Sequence, residues 1–185
     1  MSDKDQILEI FLKEYDKLKS EQAQRIGFRD NLLYVTIGLF STVIPFAVSN
    51  TANYYALLVI PWVCIVLGWT YVVNDEKISA LGQYIRTELS AKITEKTGIL
   101  EPESIFPWES YRRGARGRKL RKIEQLVVNQ LTFIIPGIVA LGAFWYLVPK
   151  AISEVKFLAG VELILLLILA IEICIHADFS TQELP

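Results

Sequence analysis

Charge all but disappears from this chain over four stretches, residues 32–48, 54–73, 131–148 and 157–175. Each is roughly 17 to 20 residues long, enough for an α-helix to cross a bilayer. The stretches are continuously apolar instead of alternating, which excludes barrel strands, and a helix satisfies its own backbone in lipid. The pattern predicts an all-α integral membrane protein with four transmembrane helices. Some thirty polar and charged residues precede the first stretch, unlike a secretory signal, so the N-terminus is expected to be retained.

Helical periodicity continues outside the apolar runs. Ile7, Leu8, Phe11, Leu12, Tyr15 and Leu18 recur at helical spacing and predict an amphipathic lead-in to the first span. After the second span, Ile78, Leu81, Ile85, Leu89 and Ile93 mark one helical face, with a stop expected near Thr97 and Gly98. The expected organisation is a cytoplasmic amphipathic helix over 1–30, a transmembrane hairpin over 31–73 and a cytoplasmic stalk with a basic connector over 74–130. A second hairpin over 131–176 and a cytoplasmic tail over 177–185 complete it.

Charge adds an orientation. Lys and Arg total 19, and the short segment 49–53 between the first two spans holds none of them. Residues 1–30 and 74–130 hold nearly all, so both termini and the middle segment are expected on the cytoplasmic side. Tyr54, Tyr55, Trp145 and Tyr146 then fall at the outer interface, and Trp69 and Tyr71 at the inner one. The net charge of -1 conceals this asymmetry. Cys64 and Cys174 both fall within predicted spans, so no disulfide framework is expected.

The densest positive charge lies in the connector. Phe106, Trp108 and Tyr111 precede Arg112, Arg113, Arg116, Arg118, Lys119, Arg121 and Lys122. Guanidinium groups bind phosphate bidentately and aromatic faces hold bases, so Trp108, Tyr111, Arg112, Arg113, Arg116, Arg118 and Lys119 are candidate contacts to a nucleotide or to a cyclic or linear oligonucleotide. The simpler reading is that these cations fix topology and meet anionic headgroups.

Two carboxylates, Glu162 and Glu172, lie in the fourth apolar stretch. Ionisable groups at that depth face a bundle interior, a water path or a partner. Repeated around a ring of subunits, either could form a cation-favouring pore lining. The competing readings are a hydrogen bond or a Lys156 pair for Glu162, and a contact with His176 four residues on for Glu172. Pro45, Pro61 and Pro136 mark points of expected kinking or packing. Gly38, Gly68, Gly137, Gly142 and Gly160 could allow close helix contact, although no GxxxG spacing occurs.

Catalysis finds no support, because the only histidine is His176 and no nucleophile, metal or phosphate-loop motif is present. Neither a cofactor nor a metal is expected. No internal repeat relates the two hairpins, which disfavours an inverted-repeat transporter.

The stretch from Glu14 through Lys17, Lys19 and Gln22 into Arg25-Ile26-Gly27-Phe28-Arg29-Asp30-Asn31-Leu32-Leu33 resembles the membrane entry of small multi-span bacterial effectors of antiphage defence, of the Hailong channel type. That resemblance implies a bacterial inner-membrane protein; a pore would require a homo-oligomer, for which a tetramer is the expected form by analogy with other channels. It would permeabilise the membrane when a signal-generating partner enzyme changes the level of a nucleotide. The alternative is a non-conducting scaffold that recruits a soluble partner through its cytoplasmic helices.

Overall fold

The computed structural model describes residues 3–98, 105–107 and 118–176. Almost all of these are helical. Helix α1 spans Asp3–Ser49, and a 3-10 segment, Thr51–Leu58, leads into α2, Val59–Tyr84. A π-helical segment, Ile85–Leu89, connects α2 to α3, Ser90–Thr97. Helices α4 (Arg118–Phe133), α5 (Ile135–Leu147) and α6 (Ser153–His176) follow. Four of the resulting helical runs are long and apolar enough to cross a membrane, so the chain is a multi-pass membrane protein.

Several boundaries follow directly from local chemistry. Asn50 caps the 3-10 segment by accepting from the Ala52 N–H at 3.1 Å. Gly98 ends α3 in the left-handed conformation, φ 76°, with its N–H on the Thr94 carbonyl at 2.9 Å. The expected stop at Thr97 and Gly98 therefore stands. Pro45 is carried within α1 without ending it.

The third span differs from the single helix expected over 131–148. It begins earlier, breaks at Ile134 and resumes at Ile135. Pro136 supplies the reason: it has no N–H to donate, and its ring excludes the carbonyl of residue 132. The second span also differs, because it opens with eight residues of 3-10 helix where a turn was expected to reach residue 53.

The π segment has a cause in the spacing of apolar positions. Leu81, Ile85, Leu89 and Ile93 stand four apart, and in an α-helix of 3.6 residues per turn a four-residue step drifts by about 40°. A wider turn absorbs that drift. Ile85 and Leu89 are fully buried and Ile93 nearly so.

The chain packs as two units, Met1–Phe28 with Asn74–Arg118, and Arg29–Val73 with Lys119–Pro185. In the first, Tyr84 donates to Glu14 at 2.8 Å and Gln22 donates to the Ile78 carbonyl at 3.2 Å, which ties α1 to α2. Phe106 stacks on Tyr15, with centroids 4.2 Å apart. The second unit holds two apolar clusters. One gathers Cys64, Ala140, Phe144, Ala159 and Leu166, and the other Leu32, Tyr71, Phe133, Leu169 and Ile173. Gly68 and Gly137 allow the close approaches here: a Cβ on either would come within 2.7 Å of Leu169 or Leu166 respectively. Gly38, Gly142 and Gly160 face open space within the chain.

Candidate functional site

Helix α6 buries Ala159, Glu162, Leu166, Leu169 and Ile173, a 3-4-3-4 spacing that forms one stripe along the helix. Glu162 thus occupies a core position. It is wholly inaccessible, and neither carboxylate oxygen has a hydrogen-bond partner. The Trp62 indole of α2 is a side-chain donor beside it, but outside hydrogen-bond geometry. The expected alternative of a Lys156 pair is not formed: Lys156 Nζ donates to the Pro149 carbonyl at 2.8 Å. Counting from Ser153 at about 1.5 Å per residue, Glu162 stands about 14 Å along α6.

Glu172 has a different setting. It lies 3.3 Å from His176 Nδ1 with about a third of its side chain accessible. The i, i+4 contact that the sequence offered as its ordinary role is present. Of the two carboxylates expected at a pore, Glu172 is open to the surface of the chain and Glu162 is enclosed.

Other polar side chains in this unit act as ties between helices. Gln130 donates to the Ala170 carbonyl at 3.1 Å and to Cys174 Sγ at 3.4 Å, joining α4 to α6. Gln125 donates to the Tyr71 hydroxyl at 3.2 Å, and the Arg29 guanidinium lies 5.7 Å from the centre of the same ring. The sequence reading assigned these glutamines no role. Gln125 and Gln130 stand on the partly covered face of the amphipathic helix α4, with Asn129 buried beside them, and that placement is the signal for such ties. Cys64 is buried and Cys174 exposed, and both are free thiols.

A second candidate lies in the first unit, where Leu18, Glu21 and Arg25 of α1 and Lys77, Ala80, Leu81 and Tyr84 of α2 line a crevice of about 340 Å³. Arg25 is held by Glu21 at 2.6 Å and reaches Asn74 at 3.5 Å. Its lining combines apolar Leu18, Ala80 and Leu81 with the Glu21 carboxylate and the Arg25 and Lys77 cations, and one of those cations is already paired with Glu21. Trp108, Tyr111, Arg112, Arg113 and Arg116, the expected ligand contacts, lie outside the described residues. Arg118 and Lys119 start α4, at the end where the helix dipole is positive. Among the described residues no group of His, Cys, Asp or Glu could hold a metal ion.

Comparison with protein-family models, with curated proteins and with solved structures gives no match.

Proposed function

We propose that the protein is a homo-oligomeric ion channel or membrane-permeabilising effector of the bacterial inner membrane. It is gated from its cytoplasmic side by a nucleotide or oligonucleotide made by a partner enzyme. The observation that carries this reading is the membrane half of α1. Only 17% of its most apolar window is buried, and Asn31, Tyr34, Gly38, Ser41 and Pro45 are all exposed at 3-4-3-4 spacing. A stripe carrying an amide, a phenol and a hydroxyl fits a neighbouring subunit or water better than acyl chains. A single four-span subunit is too small to enclose an aqueous path, so a ring of copies, taken as a tetramer, supplies it.

Both termini and the 74–130 segment lie in the cytoplasm in this reading, as the distribution of Lys and Arg favours. Helices α1 and α2 each contribute residues to both packing units. A ligand at Trp108 to Lys119 can therefore act on elements that continue into the membrane. It shifts the open and closed populations only through different affinity for the two states. Glu172 is the carboxylate available to a shared cation path.

The test is ion flux through liposomes containing the purified protein, with and without a panel of cyclic and linear oligonucleotides. Flux should change with one ligand, and joint replacement of Arg112, Arg113 and Arg116 by Ala should abolish the response while leaving basal flux intact. Absence of flux under every condition, from folded and assembled protein, would favour the non-conducting scaffold.

A further inference from the structure

The enclosed carboxyl of Glu162 has no role in the gating scheme. Its four companions on the buried face of α6 are Ala159, Leu166, Leu169 and Ile173, and a leucine would pack in its place. A carboxylate in such a position requires a countercharge, a set of donors or a proton.

The countercharge is missing. No Lys, Arg, Asp, Glu or His occurs in α1 between residues 31 and 49, in the 3-10 segment, in α2 between 59 and 74, in α4 from residue 125 onward, or in α5. The titratable side chains on those elements are Tyr34 of α1, Tyr54 and Tyr55 of the 3-10 segment, Cys64 and Tyr71 of α2, and Tyr146 of α5. None bonds either oxygen. Along α6 itself Lys156 is engaged with Pro149, and Glu172 lies about 15 Å away by helix rise. The side-chain donor beside it, the Trp62 indole, stands outside hydrogen-bond geometry and satisfies neither oxygen. An alkali or divalent cation would need a shell of several oxygens, and among the described residues no acidic cluster supplies one. A proton needs a single oxygen.

We propose that Glu162 is an intramembrane proton-binding site, and that releasing its proton requires α6 to part from the helices packed on it. With no accessible surface, the ionised form cannot be hydrated while the packing is closed. The closed packing therefore binds more protons than the opened one. By linkage its stability is greatest at acidic pH and falls as pH rises through the titration of the site. This reading is independent of conduction, because it concerns one protomer's interior.

Infrared spectra of the protein in lipid, recorded across pH in H2O and in D2O, test it directly. The wild type should show a carboxylic-acid carbonyl band that shifts in D2O, disappears at alkaline pH and is missing from Glu162→Gln. Thermal stability should fall with rising pH more steeply in the wild type than in the variant across the same range. No such band in the wild type, or the same band in the variant, overturns the proposal. So does loss of the band on adding Na+ or K+ at constant pH, which would make the site a cation site. Should Glu162→Gln fail to fold, dicyclohexylcarbodiimide gives the assignment in the wild type. The acid adds its O–H across one C=N bond, the proton going to nitrogen and nothing leaving, and the adduct is located by mass. An adduct on Glu162 at acidic but not alkaline pH supports the proposal; labelling confined to other carboxyls overturns it.

Discussion

The first and second spans are both long and apolar, yet 17% of the most apolar window is buried in one and 50% in the other. Span two is the centre of the membrane unit, with Ile60, Cys64, Ile65, Tyr71 and Val72 all enclosed. Span one encloses Leu32, Thr36 and Ala47, while Tyr34, Ile37, Phe46 and Val48 face outward. Apolarity alone therefore does not say whether a membrane helix meets protein or lipid. A small residue does not decide it either: Gly68 lets Phe133 and Leu169 close on span two, whereas among the described residues nothing comes within 4 Å of a Cβ at Gly38.

Truncating the packed side should give the largest effect. Phe133→Ala removes a fully buried ring and should cost about 3 to 5 kcal/mol, whereas Ile44→Ala, on the outward face of α1, should cost under about 1 kcal/mol. Unfolding in mild detergent measures both, and equal losses would break the contrast. Enlarging the glycines comes next. Gly68→Val should cost about 1 to 3 kcal/mol by overpacking, and Gly38→Val should stay within about 0.5 kcal/mol for the isolated protomer. If Gly38→Val instead alters the assembled size on gel filtration, the outward face of α1 is a contact between copies.

The same contrast recurs within α6. Glu162→Met, which replaces a partnerless buried acid with an apolar side chain of similar length, should stabilise by about 1 to 3 kcal/mol. Glu172→Gln keeps a side chain that can still reach His176 and should change stability by under about 1 kcal/mol. The smallest effect belongs to the exposed Lys13 and Glu9 pair, 2.8 Å apart, where Lys13→Ala should cost under about 0.5 kcal/mol in thermal unfolding.

The apolar stretches and the lead-in periodicity were legible because each expresses a local rule: span length, helical spacing, a glycine stop. The break before Pro136 has a local cause too, but the proline alone left kinking and packing both open and did not mark Ile134 as the residue that yields. The burial of Glu162 is written in its 3-4-3-4 company with Ala159, Leu166, Leu169 and Ile173, a helical spacing of small and aliphatic residues that marks one inward face. The uncovered face of α1 was not legible, because a hydropathy window carries no information about neighbours. The crevice beside Arg25 joins residues some fifty positions apart, and nothing local announces such a pairing.

The π segment makes helix length a matter of phase. Upstream and downstream of Ile85–Leu89 the chain follows ordinary α-helical winding, and the segment acts as a vernier that lets two rulers of different pitch agree on which residues face inward. Removing any one residue there would straighten the winding but turn everything after it by about 100°. Ser90 and Ile93 would rotate out of the interior together, so in this stretch a deletion should be far more damaging than any single substitution on the exposed side.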